Sequence, residues 1–437
     1  MKKKSILIAV LASIVFLGNL NAQDWPQYMG PDRNSISPQK NILRVWPEKG
    51  PDVLWSVDVG IGYGGPVVKD GKVYLLDRDD EVGDKMRCFD LNSGEELWKF
   101  EYTAAGSVMF PGSRSVPIVD ENYVYSCGPY GDLYCIDIKT HKAVWNVNVW
   151  TDFGGEEIPR WAITQSPLIY GDLLIIASQA PEAGVVAYDK LTGDVKWKTP
   201  SLGPTGYVSP IITKIDGNDH LVMITASSGG RGEDPVPGFV VGLDPMSGEK
   251  IWEFDNWLCR IPVPSAVDAG DNKLLIVGGY ELGALMIQVE KQADGTYGTK
   301  ELFRTEEFGD QTKTPLFYDG YFYAEFGTNS TRDGLTCMNM DGEIMWKTKR
   351  DPDFNKGSMI IADGLILATD GAKSLYLIEP DPTTFKLLAS AELLTKQEGE
   401  EGGGRFGTQN WAPIALADGK LLIRDQSKML CVKVQNN

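Results

Sequence analysis

The stretch DLNSGEELW, residues 90–98, returns as DKLTGDVKW at 189–197 and as DPMSGEKIW at 244–252. A phrase that recurs through a chain restricts it to a repeat array before any other property is weighed. Aligned on the tryptophan, the register falls on Trp55, Trp98, Trp145, Trp197, Trp252 and Trp346. The turns before the last five of these read SG, TH, TG, SG and DG, whereas Trp55 has no turn before it. Two degenerate copies, ADGTYGTKELFRT and PDPTTFKLLAS, place Phe303 and Leu388 in the same register. The steps along this series run from 42 to 55 residues, the period of a blade-type array.

A second phrase keeps the same beat. Eight β-rich hairpins, from GGPVVKDGKVYLL to WAPIALADGKLLIR, each carry a Gly, Asp or Asn turn. Joined to the first phrase, they give four short strands per unit. The fold class expected is therefore all-β, an eight-bladed β-propeller of four-stranded antiparallel blades. The last hairpin is followed only by MLCVKV, a third strand without a fourth. VLWSVDV around Trp55 supplies the missing strand, so pairing of the N-terminal and C-terminal strands closes the ring and removes an exposed edge. Pro66, Pro117, Pro167, Pro210, Pro264, Pro315 and Pro413 open the innermost strands, where a missing N–H costs no ladder bond.

Three parts follow: residues 1–22 as a signal peptide, 23–50 as an N-terminal arm, and 51–437 as the propeller. Lys2, Lys3 and Lys4 precede a short apolar run that ends in Leu20-Asn21-Ala22, the pattern of a cleaved export signal. The chain is expected to be exported, to the periplasm or beyond the cell, with no lipobox cysteine at the cleavage site. No later segment approaches the roughly 20 apolar residues of a membrane-spanning helix. Residues 1–22 hold three lysines and no acid, so their removal takes the formal charge from −18 to −21. Such a chain has no electrostatic reason to bind nucleic acid. A monomer is expected.

Cys88, Cys135, Cys337 and Cys431 hold one place in four copies of the repeat, too far apart to bridge, and read as small buried residues. Cys127 and Cys259 read as free thiols or an adventitious pair. The two histidines, His141 in a turn and His220 before a strand, both fall on the face away from the channel mouth. A Ser-His-Asp triad and a histidine-held zinc are thereby excluded.

CFDLNSGEELWKF, VAYDKLTGDVKWKT and VGLDPMSGEKIWEF resemble the tryptophan docking motif of the PQQ-like β-propellers, the group of quinoprotein alcohol dehydrogenases and BamB-like assembly proteins. The opening DWPQYMGPDRNSIS is similar to the start of exported members of that group. The likeness covers about residues 24–434 and implies the propeller fold. It differs from the dehydrogenases in having no vicinal Cys pair, and from BamB-type proteins in having no N-terminal lipidated Cys.

The connections that enter each innermost strand should ring one mouth of the central channel. They carry Arg114, Arg160, Arg260, Lys313, Lys356 and Arg405, interleaved with Tyr63, Trp161, Tyr207, Phe406 and Trp411. One reading is an anion-binding funnel with aromatic walls, in which arginine forks hold carboxylates or phosphates and rings stack on a sugar or heterocycle. The other pairs each cation with a nearby acid, such as Glu156, Glu157 or Asp310. Carboxylates expected on the same face are Asp77, Glu281, Glu325, Asp370 and Asp425. Glu325 and Asp370 are candidates for a general base or for Ca²⁺ ligands, against the plainer role of loop caps. DRDDEVGD, residues 77–84, reads as a solvated hairpin tip. The glycine runs GGRG and GGGR read as flexible funnel loops.

Three functions fit these residues. The first is a binding or scaffold protein that uses funnel and rim for an anionic small molecule, a glycan or an envelope protein partner. The second, implied by the resemblance, is a PQQ- and Ca²⁺-dependent dehydrogenase of alcohols or sugars, with Glu325 or Asp370 at the metal. A third, an enzyme acting on an acidic saccharide, rests on the same cations.

Overall fold

The computed structural model describes residues 24–229, 234–327, 332–395 and 408–436. The expected signal peptide, Arg405, Phe406 and the GGGR run lie outside them, as does most of GGRG. Eight antiparallel sheets follow one another along the chain, spanning 67–103, 118–148, 168–198, 211–257, 267–305, 316–347, 359–392 and 415–433. They are numbered blades 1 to 8 here. In blade 8 the outermost strand is Val53–Asp58, antiparallel to Lys428–Lys433, with Trp55 opposite Cys431. The ring is therefore closed by its two ends. The first strands of neighbouring blades touch one another and form the inner wall.

Burial explains the strand pattern. Second strands such as Leu173–Ile176 and Leu365–Thr369 are buried throughout, because a neighbouring blade covers each face. Outermost strands such as Glu96–Thr103 and Lys386–Glu392 carry exposed residues at most positions and face solvent.

The recurring phrase now has a physical cause. Its leading acid caps the turn: Asp90 accepts the N–H groups of Asn92 and Ser93, and Asp189 and Asp244 repeat this with the residues two and three further on. A β-bulge then precedes the tryptophan, which lands opposite a small or flexible residue of the third strand: Cys88, Cys135, Ala187, Gly242 or Cys337. From there most of the rings reach the turn of the next blade. A Cβ at Gly94, Gly193, Gly248 or Gly342 would sit 2.4–2.8 Å from Trp55, Trp145, Trp197 or Phe303. Trp55, Trp145 and Trp346 also donate their indole N–H to Leu91 O, Lys190 O and Asp381 O there.

Three expectations need correction. In blade 7 the bulge residue is Leu388 itself, and Ala389 occupies the register opposite Leu377. His220 lies inside its strand, buried, and accepts the Trp252 indole N–H at 3.0 Å. The DRDDEVGD hairpin is solvated only at its tip, where Glu81 and Val82 are exposed. Arg78 and Asp84 have fully buried side chains and pair at 2.9 Å, and Arg78 also bonds Asp80, Ala104 O and Gly106 O. All six cysteines are free and buried. Among the described residues no helix is long and apolar enough to cross a membrane.

The arm from Asp24 onward threads across the inner wall. Trp25 bridges to Val68 in blade 1, and Pro26 O accepts Val119 N–H in blade 2. Arg33 reaches Pro167 O and Ser166 O beside blade 3. Ile36–Ser37 pairs in parallel with Ile361 and Ala362 of blade 7. Gln39 bonds Leu416 O and Gly419 N in blade 8. One segment that engages the inner strands of five blades stoppers the channel.

Candidate functional site

The mouth residues sort into three clusters. In the first, the rings of Tyr63, Phe110 and Trp411 lie 5.7–6.1 Å apart, and Tyr63 donates to Gln409 at 2.6 Å. The Lys356 ammonium stands 4.5 Å from the centre of the Trp411 ring, with the lysine itself 6% exposed. Arg114 joins this cluster but is turned inward. Its guanidinium donates to the carbonyls of Met109, Phe110 and Trp161, stitching the loop after blade 1 to the loop after blade 2. Burial pulls its pKa down to about 10.

The second cluster is deeper. Asp310 accepts the N–H groups of Thr312 and Lys313, each at 2.9 Å, and its other oxygen has no hydrogen-bond partner among the described residues. Glu325 accepts Gly357 N–H at 2.5 Å, and its Oε1 is similarly orphaned. Burial pushes Asp310 up to about 6 and Lys313 down to about 8. Burial, reinforced by Asp310, raises the pKa of Glu325 well above its ordinary value. Asp370 is a loop cap that accepts Ala372 and Ser374 N–H. Asp425 caps similarly toward Thr395, Ser427 and Lys428, and Asp77 is paired with Arg87 and Gly60 N–H. A cavity of about 20 Å³ lies among Tyr28, Ser35, Lys313, Glu325 and Gly357, with room for a single water. Tyr28 and Ser35 belong to the arm, whose presence at the site no periodic signal in the sequence marks.

The third cluster stands at the lip. Arg160 stacks over Trp161, 5.1 Å from the ring centre, and Trp161 meets Tyr207 edge-on at 5.5 Å. Arg160 and Arg260 are both exposed, and among the described residues neither has a carboxylate within ion-pair reach. Glu156 and Glu157 leave Arg160 unpaired. The proposed pairing of cations with local acids therefore does not describe Arg160, and at Lys313 it is the backbone N–H that bonds Asp310 while the ammonium lies by Thr312 Oγ1. The candidate residues converge as three groups, not as one ring of free cations.

Residues 48–211, 83–256 and 237–437 match the PQQ-like family described as "Outer membrane protein assembly factor BamB". The chain belongs to that family. Over 168 residues, 35% of this BamB-family chain, it is 30% identical to a quinoprotein ethanol dehydrogenase of Pseudomonas aeruginosa. Over 171 residues it is 26% identical to the quinoprotein alcohol dehydrogenase PedH of Pseudomonas putida. The matches span 25% and 26% of those two proteins. Among solved structures, a europium-containing methanol dehydrogenase superposes with a TM-score of 0.66 at 13% identity, covering 92% of this chain and 89% of that one. BamB from Moraxella catarrhalis does so with a TM-score of 0.57 at 13% identity, covering 88% and 98%. At such identities the superpositions establish the fold alone.

The described residues do not fit a quinone tricarboxylate with its cation at Glu325. A ligand of that size needs a slot of roughly 300 Å³ or more. The space at Glu325 is about 20 Å³, and Arg114 is already committed to backbone carbonyls. Nor do any three His, Cys, Asp or Glu side chains among the described residues converge on a metal-sized point.

Proposed function

We propose that this BamB-family propeller is an exported binding scaffold that holds an envelope protein, a glycan or another anionic ligand on its open face. The observation that carries the reading is the division of the mouth cations. Those deep in the funnel are spent internally, on carbonyls, on the Trp411 ring and beside Asp310. At the lip Arg160 stands exposed over the Trp161 ring, and Arg260 stands exposed as well. Behind them the arm stoppers the channel, which leaves binding to the surface. Periplasmic or extracellular residence accords with the apolar leader at residues 1–22.

A second reading, quinone-dependent dehydrogenation, draws on the 30% identity to the P. aeruginosa enzyme. It requires the second cluster to open by an order of magnitude in volume. Calorimetric titration of the mature protein with PQQ, with and without Ca²⁺, separates the two. The scaffold reading expects no heat and no dye reduction with simple alcohols. Stoichiometric binding would replace it with the dehydrogenase.

A further inference from the structure

At three seams of the ring the incoming tryptophan ends on a backbone carbonyl, Leu91 O, Lys190 O or Asp381 O, a group that does not titrate. The seam between blades 4 and 5 is built otherwise. The Trp252 ring lies across Gly242 of the third strand, where a Cβ would sit 2.1 Å from the indole. It then donates its N–H to Nδ1 of His220 on the second strand, at 3.0 Å. Both side chains are buried, and Tyr297 of blade 5 meets the imidazole edge-on, 5.2 Å between centres and 78° between planes. Gly295, in the turn of that blade, has open space at its Cβ position, so this turn does not receive Trp252 as Gly94 receives Trp55. The imidazole has taken the place of the carbonyl.

That substitution brings in a proton. A neutral imidazole that accepts at Nδ1 carries its hydrogen on Nε2, whereas the cation carries one on each nitrogen. An indole nitrogen donates only, so a protonated Nδ1 would face it donor to donor, and the pair cannot reverse roles. The charged groups around the ring come from four directions. Asp216 and Asp219 lie in its own hairpin, and Asp244 follows Leu243, which pairs with Leu221. Asp219 is already held by Lys214 at 2.7 Å and by Tyr170 of blade 3 at 3.0 Å. Lys250 and Glu253, either side of Trp252, are exposed and pair with one another. From blade 5 comes Tyr297, with the Lys291 ammonium 5.8 Å from its ring centre. Burial outweighs the three acids and holds the pKa of His220 below its ordinary value, so the contact belongs to neutral pH and is lost as pH falls through the folded-state value.

We infer that His220 is an acid-sensitive latch: a proton on Nδ1 breaks the Trp252 contact and releases the tip of the blade 5 hairpin, Lys291 to Tyr297, from blade 4. Two contacts farther along the same seam limit the opening. Thr299 Oγ1 donates to Glu253 O and Arg304 to Asn256 O, each at 2.9 Å, and neither donor titrates near neutrality. Acid therefore bares an indole at one seam and leaves the carbonyl-anchored seams closed. The latch does not depend on what the open face holds, so it stands apart from the scaffold reading.

The test follows the indole N–H of Trp252 by NMR in the full mature protein, assigned through Trp252→Phe. Trp55, whose N–H goes to Leu91 O, is the internal reference. At about pH 7.5 both N–H groups should be protected, and the His220 ring should show an unprotonated Nδ1. At about pH 5 the Trp252 N–H should exchange about tenfold faster relative to that of Trp55. Hydrogen exchange at residues 290–298 should quicken with it, and at residues 142–148 it should not. His220→Gln supplies an acceptor that does not titrate and should hold the seam at both pH values. Trp252 exchange that keeps pace with Trp55 into acid overturns the latch, as does acid loosening that His220→Gln retains. If that variant misfolds, the parent decides alone. A His220 ring that stays neutral at about pH 5, or that takes a proton without freeing Trp252, overturns it equally.

Discussion

The imidazole of His141 lies flat against the indole of Trp98, 4.8 Å between ring centres and 14° between planes. His141 takes the place that glycine holds in the equivalent turns, with φ of 58° where Gly94 and Gly193 have 73° and 77°. The docking turn thus needs two things at once, a left-handed backbone and a flat contact with the incoming ring. Glycine meets both by absence of a side chain, and His141 meets both by stacking. Gly94→Ala should therefore destabilise by about 2–4 kcal/mol, since its Cβ would sit 2.8 Å from Trp55 in a left-handed conformation. His141→Gly should change stability by about 1 kcal/mol or less. Urea unfolding checks both, and equal losses at the two sites would refute the docking account.

Ring closure depends on Trp55. It is 8% exposed, it pairs opposite Cys431, and it anchors to Leu91 O of blade 1. Trp55→Ala removes the ring that joins blade 8 to blade 1, at a cost of about 3 kcal/mol. The outermost strand of blade 8 is then the first to fray, which exposes an unpaired edge. Hydrogen exchange should report faster exchange at residues 428–433 than elsewhere, and light scattering should report self-association. A uniform loss of protection around the ring would show that closure is not the weak point.

Arg114 was read from its position as a ligand-binding cation, yet its contacts are structural. Arg114→Ala orphans three carbonyls and should cost about 2–4 kcal/mol. Thermal unfolding makes the check, and an unchanged melting temperature would return Arg114 to the ligand role.

What the sequence made legible follows from where each signal lives. Turn chemistry, the tryptophan and the hairpin pattern are local, so blade count and closure by Val53–Asp58 could be read directly. Blade 7 has no tryptophan to mark its bulge, and Leu387-Leu388-Ala389 offers three apolar residues of similar weight, so the register slipped by one. The mouth cations were legible as positions but not as contacts. Whether a side chain at a loop turns to solvent, as Arg160 does, or onto carbonyls, as Arg114 does, depends on a neighbouring blade many residues away. The stopper was hidden because the arm has no period. Its one usable hint was its apolar weight, since Trp25, Ile42 and Trp46 are all buried.

The buried acids of the second cluster set a pH signature. Asp310 has an ordinary pKa of 3.8 and is raised by burial to about 6. A group whose folded-state pKa is raised contributes stability that is fully present below its unfolded pKa and lost as pH rises through the folded one. Asp310 should therefore cost the fold up to about 3 kcal/mol between pH 4 and 7, an upper bound from a shift of roughly two units. Lys313 runs the other way, but its window, from 10.5 down to about 8, lies outside this range. Asp310→Asn removes the titration while keeping an acceptor for Thr312 and Lys313 N–H. Its stability relative to the parent should rise steadily from pH 4 to 7 in urea titrations at fixed salt. Parallel curves across that range would mean that Asp310 is solvated, and that the orphaned oxygens of the cluster are open to water.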